Sequence, residues 1–178
     1  MEDALIIKYI KKKKEKGLEL LIKSYGGLIK GIVRKHLTNL SYYEEECFDD
    51  ILISIWNNIN SFDGKGSFRS WIGVVSKFKA IDYKRKYLKL NSFENIDDIV
   101  IADDINVSDE IILKELKEEI HSLMDNLKEE DKQIFIRYYL KEESIEIISK
   151  DMSLKKDVIY NKLSRGRKKL GNILREVN

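Results

Sequence analysis

Two stretches of this chain concentrate cationic side chains at a density that suits a polyanionic partner. Residues 65–89 carry Lys65, Arg69, Lys77, Lys79, Lys84, Arg85, Lys86 and Lys89 against Asp82 alone, with Phe68, Trp71 and Phe78 among them. Residues 153–175 carry Lys155, Lys156, Lys162, Arg165, Arg167, Lys168, Lys169 and Arg175 against Asp157 alone. Between the two blocks, residues 91–113 hold acids and no base, so the formal net charge of +2 conceals a strong segregation. Ammonium and guanidinium groups at that density neutralise phosphates. Charge alone explains the second block equally well as the solvated side of an amphipathic helix.

Catalytic chemistry finds no comparable set. Cys47 is the single cysteine, which excludes an intramolecular disulfide, and no zinc-ligand pattern surrounds it. His36 and His121 are distant in sequence; with Cys47 they read as packing or surface residues. With no nucleophile–base pairing, phosphate-cradling glycine loop or metal cluster, the expectation is a non-enzyme without catalytic residues, cofactor, metal or small-molecule substrate. The lysine run Lys11–Lys14 is not followed by an apolar segment long enough for a signal peptide or membrane span, which predicts a cytoplasmic protein.

The elements that must position these side chains are helical. The chain has no proline, and Lys, Glu, Leu and Ile dominate. Apolar spacing predicts helices over 2–14 and 17–37. A capping box, Ser41 with Glu44, opens another that runs to about Ile59. Phe62-Asp63-Gly64-Lys65-Gly66-Ser67 reads as a turn, then Phe68 to about Lys89 as a helix with Trp71, Ile72, Val75, Phe78 and Ile81 along it. Residues 90–107 break the periodicity and form an acidic linker. Helices follow at about 109–125, 129–140, 144–151 and 155–175, the last with Ile159, Leu163, Leu170 and Leu174 on one side. A short helix, a turn at Met152–Leu154 and a long basic helix have the layout of a helix-turn-helix, whose second helix can enter a major groove with Lys155, Lys156, Val158, Asn161, Lys162 and Arg165.

At these residues the chain resembles extracytoplasmic-function sigma factors of the sigma-70 superfamily. The run Ile145-Glu146-Ile147-Ile148, then Leu163-Ser164-Arg165-Gly166-Arg167-Lys168-Lys169-Leu170, is similar to their carboxy-terminal domain, and Gln133–Leu140 to the helix before it. Phe68-Arg69-Ser70-Trp71-Ile72 with Ala80-Ile81-Asp82-Tyr83-Lys84-Arg85-Lys86 resembles the segment that melts and reads the minus-ten element. Asp49–Trp56 resembles the helix that grips the clamp coiled coil of the polymerase's largest subunit. The motifs stand in the family's order and at its spacing, from about Lys16 to Ile173.

The resemblance implies an all-α molecule of two small helical bundles joined by an acidic linker, the second ending in the helix-turn-helix. Its domains would be 1–89, a linker 90–107, and 108–178. It implies core RNA polymerase as a partner, held through Asp49, Asp50, Ile53, Trp56 and Asn57. It implies promoter DNA as a second partner. At the minus-ten element, Phe62, Asp63, Lys65 and Ser67 would shape a base pocket with Arg69, Trp71 and Phe78, and Lys77, Lys79, Lys84, Arg85 and Lys86 would supply charge. At the minus-thirty-five element, Lys155, Lys156, Val158, Asn161, Lys162 and Arg165 would read bases, while Arg167 and Lys168 touch phosphates or polymerase. Trp56, Phe68 and Trp71 also fit core packing, as apolar residues at helical spacing usually do. Phe78 stands where the family commonly has asparagine, and a phenyl ring cannot hydrogen-bond a base edge. Val158 replaces the usual threonine and can touch a thymine methyl without a hydrogen bond. Family members are commonly held inactive by an anti-sigma factor, often membrane-bound. The alternative is a helix-turn-helix regulator that binds duplex DNA independently of polymerase, which would leave the first basic block unexplained.

Overall fold

The structure, a computed structural model, describes residues 2–62, 64, 67–91 and 124–173. Among these residues every regular element is helical. The expected helix at 109–125 lies outside them apart from its last two residues; so do 92–107 of the linker, Asp63, Lys65, His121 and Leu174. Chain contacts divide into two compact units.

The first unit is built from α1 (Glu2–Lys11), α2 (Lys16–His36), α3 (Glu44–Asn58) and α4 (Phe68–Asn91). On α2, Leu21, Tyr25, Ile29, Ile32, Val33 and His36 recur at helical spacing and are buried. Burying each large aliphatic side chain stabilises by about 1.5–3 kcal/mol, so this stripe fixes which side of α2 faces inward. Ile6 and Ile10 of α1 fill against it, and the Tyr25 hydroxyl donates to Asp3 Oδ1 at 2.6 Å. The first helix ends at Lys11, short of the expected 14: Lys13 turns left-handed (φ 53°), and the chain doubles back so tightly that only glycine fits next. A Cβ on Gly17 would lie 2.7 Å from Ile10 Cγ1 and 2.8 Å from its backbone nitrogen.

The expected capping box does not form. Ser41–Tyr43 is a turn of 3-10 helix, so Ser41 lacks the extended backbone that a capping side chain needs, and no side chain caps α3. Glu44 instead faces Arg34, with Nε at 3.6 Å from its carboxylate. From α3 the core takes Cys47, Ile51, Leu52 and Ile55; burial pushes the Cys47 thiol up to about 12. From α4 it takes Phe68, Trp71, Ile72, Ala80 and Ile81, while the buried Ser76 hydroxyl is satisfied by the Ile72 carbonyl at 2.8 Å.

The second unit holds α5 (Glu129–Phe135), which runs on as a π-helical turn over Ile136–Leu140, then α6 (Ile145–Met152) and α7 (Lys156–Ile173). Its core joins Ile134, Phe135, Tyr138, Tyr139, Ile145, Ile148, Ile159 and Leu163. The turn into α7 matches the expected helix-turn-helix. Ser144 caps α6 by accepting from the Ile147 amide, and Ser153 adopts a left-handed φ of 54° after it. That conformation costs a non-glycine residue about 1 kcal/mol. It is offset by the Ser149 hydroxyl, which donates across the turn to the Leu154 carbonyl at 2.6 Å.

Gly166 sets how closely α7 approaches α5, because a Cβ there would lie 2.3 Å from the ring of Phe135. Phe135 is fully buried and has no room to withdraw. Gly166→Ala should therefore destabilise the second unit by about 1–3 kcal/mol. Amide hydrogen exchange should quicken across α5 and α7 and stay unchanged across α1–α4.

Candidate nucleic-acid and partner interfaces

The two helices that carry the expected polymerase and minus-ten residues, α3 and α4, are tied by a polar clasp. Glu46 and Asp50 are four residues apart on α3, and Tyr83 and Tyr87 four apart on α4. The Tyr83 hydroxyl donates to Asp50 Oδ2 at 2.7 Å and reaches Glu46 Oε1 at 3.2 Å, and the Tyr87 hydroxyl donates to Glu46 Oε1 at 3.1 Å. Tyr43 stacks on Tyr87 with ring centroids 3.6 Å apart. Burial, followed by the bond to Asp50, raises the Tyr83 pKa above the ordinary phenol value, so it stays a donor. The Lys86 ammonium lies 4.6 Å from the Tyr87 ring centroid and 5.6 Å from that of Tyr83, and donates to the Tyr87 hydroxyl at 3.1 Å. Glu46, Tyr43, Tyr83 and Tyr87 were not singled out as site residues by sequence reasoning. The matched four-residue spacing of acids and phenols is the signal that could have found them.

The clasp divides the expected polymerase-binding residues. Asp50 is turned toward α4, where Lys79 Nζ adds a contact at 3.6 Å. Asp49, about a hundred degrees around the helix, faces away. Asp49, Leu52, Ile53 and Trp56 join Leu18 of α2 around an open, mainly apolar groove of about 420 Å³. Ile53 is 57% exposed and adjoins Leu18, Leu52 and Trp56 in this apolar patch. Asn57 is exposed beside it. At the far end, Lys13 closes the last turn of α3: its ammonium donates to the Trp56 carbonyl at 2.7 Å and sits 4.9 Å from the centroid of the Trp56 ring.

Along α4 the expected minus-ten residues separate by burial. Trp71 is a core residue, 5% exposed and stacked on Phe68 at 5.9 Å. Phe62 is also buried. Ser67 and Arg69 are exposed, and Ser67 Oγ accepts the Ser70 amide at 3.3 Å at the helix start. Lys77, Phe78, Lys79, Lys84 and Arg85 are half-buried, and Lys86 is exposed.

On α7, several cations are occupied within the fold. Lys162 is held by Glu130 at 2.6 Å and Asp131 at 2.7 Å, which raises its pKa. Arg167 Nη1 donates to the Tyr139 hydroxyl at 2.7 Å, and Lys156 pairs with Glu146 at 2.7 Å. Val158 is half-buried. The core side of α7 is Ile159, Leu163 and Gly166. Opposite it, at helical spacing, Asp157, Asn161, Arg165 and Lys168 are exposed, with Lys155 at the entrance and Tyr160, 48% exposed, on one flank. Tyr160 is an exposed aromatic that sequence reasoning passed over.

No described helix is long and apolar enough to cross a membrane. A family model described as Sigma-70 region 2 matches residues 21–89, and one described as Sigma-70, region 4 matches residues 117–170. No curated protein matches. A solved structure described as CnrH in complex with the cytosolic domain of CnrY shares 13% identity over the full length of both chains, with a TM-score of 0.42; a likeness at that level carries nothing over to this chain.

Tyr83→Phe deletes the hydroxyl that both α3 carboxylates accept from. The expected loss is about 1–3 kcal/mol, the cost of leaving a partly buried polar group without its partner. The chain's two tryptophans, Trp56 and Trp71, both lie in the first unit, so urea unfolding followed by tryptophan fluorescence reads that unit alone. A midpoint equal to the parent's would show that the hydroxyl contributes nothing.

Proposed function

The chain belongs to the sigma-70 family, pairing region 2 with region 4 in the manner of its extracytoplasmic-function members, and we propose specific residues for each of its contacts. As such it is a transcription initiation factor that binds core RNA polymerase and directs promoter-specific initiation. The observation that carries this is the order of two matched regions in one chain, a polar-clasped helical unit before a basic helix-turn-helix. Run-off transcription with purified core polymerase tests it: transcripts should start at defined promoters and need both proteins. Tight duplex binding without polymerase, and no transcripts with it, would return the chain to the regulator class.

In the proposed assignment, residues 1–89 act on core polymerase and the minus-ten element, 90–107 link, and 108–178 act on the minus-thirty-five element. Core polymerase fills the groove of Asp49, Ile53 and Trp56, with Asn57 at its margin. Asp50 holds α4 through Tyr83 and so contributes indirectly. Minus-ten contacts fall to Ser67, Arg69, Lys77, Lys79, Lys84, Arg85 and Lys86, while the buried Trp71 supports the helix from inside. Phe62, Asp63, Lys65 and Phe78 remain assigned to the base pocket on the family resemblance. At the minus-thirty-five element the readers are Lys155, Asn161 and Arg165, whose exposure supports the assignment, with Lys168 on phosphate. Lys156, Lys162 and Arg167 have internal partners that a DNA contact would have to displace, and Val158 can offer only a methyl contact. An anti-sigma protein that covers the apolar groove fits a surface whose exposed isoleucine is costly in water. Such a protein, if anchored, would hold this otherwise cytoplasmic factor at a membrane.

Two outcomes check the assignment. Ile53→Asp should weaken co-purification with core polymerase by about tenfold or more, since it places a charge in the centre of an apolar contact. Its unfolding midpoint should hold, because Ile53 is not in the core. Asn161→Ala should change which minus-thirty-five variants are preferred in a promoter-library transcription assay, by about 1–3 kcal/mol if it contacts a base. Lys168→Ala should lower all variants alike. The reverse pattern would overturn this docking of α7.

A further inference from the structure

Beside the Trp56 end of the α2–α3 groove lies a concentration of charge that the family motifs do not include. Lys11, Lys12, Lys13, Lys14 and Lys16 stand within six residues against Glu15 alone, and every one of the five is exposed. The segment is held in place: Lys14 N–H bonds the Tyr9 carbonyl at 3.0 Å, and Gly17 is packed against Ile10. Lys13 has a structural task, since α3 carries no basic residue in its own last turn and the Lys13 ammonium supplies one at the Trp56 carbonyl. Lys16 lies over the Tyr9 ring at 5.9 Å. Lys12 and Lys14 are exposed and adjoin Lys13 in the chain, whose ammonium reaches the Trp56 end of a groove lined by Leu18, Leu52, Ile53 and Trp56.

We propose that Lys12 and Lys14 form a charged rim of the polymerase-binding groove, which pairs with an acidic patch on the segment of core polymerase seated over Trp56. This rests on the reading of the groove as the core-binding site. Charge complementarity singles out that occupant. A segment filling the apolar floor ends at Trp56, where Lys13 sits within a six-residue run of net charge +4 (five lysines, one glutamate), and an acidic end is the one that is favoured there. The opposite end is near balance, because Asp49, Glu44 and Glu45 face Lys30 and Arg34 around the neighbouring cleft. The groove is therefore polar along its length and fixes which way its occupant runs. A protein surface fits better than DNA backbone because the run meets the apolar floor through Lys13 at Trp56, whereas α4 lies along the Glu46–Asp50 flank of α3. Charges at the rim of an interface act chiefly on the association rate and its salt dependence.

The test compares the full-length parent, Lys12→Glu/Lys14→Glu and Ile53→Asp for association with purified core polymerase. Rates are taken at low salt and near 1 M salt, where the screening length falls to about 3 Å. The lysine swap should slow association about tenfold at low salt, with the difference gone at high salt and the tryptophan unfolding midpoint unchanged. If the swap leaves association untouched while Ile53→Asp abolishes it, the rim proposal fails and the groove assignment stands. If Ile53→Asp has no effect, the groove assignment fails and takes the rim with it. If the swap spares core binding but weakens promoter binding by the assembled holoenzyme, the lysines contact phosphates and the proposal is overturned.

Discussion

Two carboxylates spaced four residues apart on α3 meet two phenol hydroxyls spaced four apart on α4, and the geometry of the first unit depends on that register. Apolar packing alone would let α4 slide or roll on α3 at modest cost, since one aliphatic contact replaces another of similar area. Hydrogen bonds do not tolerate such sliding. Glu46 accepts from both Tyr83 and Tyr87, and Asp50 accepts from Tyr83, so a roll of α4 that turned the two phenols away would strand two carboxylates. The stack of Tyr43 on Tyr87 closes the same register from the turn before α3. The basic helix α4 is thus set against α3 by directional bonds at one end and by Phe68, Trp71 and Ile72 at the other.

One helix consequently performs three tasks on three sides. Cys47, Ile51 and Ile55 of α3 hold the core, Glu46 and Asp50 hold α4, and Asp49, Leu52, Ile53 and Trp56 border the groove. The economy comes from the hundred-degree step between consecutive residues, which sends the neighbours Asp49 and Asp50 to different partners. A charge change at position 50 therefore disturbs α4 as well as any partner, whereas one at 49 leaves the clasp intact.

Much of the helical layout was legible because apolar stripes at a 3.6-residue period are long and unbroken; α2, α4, α6 and α7 begin within one residue of the expected positions. What failed were local backbone choices. The end of α1 depends on how closely Gly17 must approach Ile10, a contact that no window of sequence displays. The capping box failed because the chain tightens into 3-10 geometry at Ser41. The functional residues were legible as types but not as partners. Lys162, Arg167 and Lys156, expected to face DNA, also have partners within the fold in Glu130, Asp131, Tyr139 and Glu146, drawn from other helices.

That internal pairing bears on how the second unit would distinguish sequences under the proposed assignment. Each lysine or arginine that is free to neutralise a phosphate adds to binding that is blind to sequence and steep in salt. On α7 the cations nearest the core side are paired to acids and a phenol, which pins α7 to α5 and α6 while subtracting them from that blind term. The outward row keeps Asn161, with Asp157, whose carboxylate repels phosphate, and Arg165 and Lys168 further along. An amide offers a bidentate contact to a base edge, and an acid in the first turn penalises any docking that presses it against the backbone. The helix is rich in positive charge by composition, yet the side it turns outward is mixed. In the proposed docking, discrimination would then rest on a few groups held in fixed positions rather than on the number of its lysines and arginines.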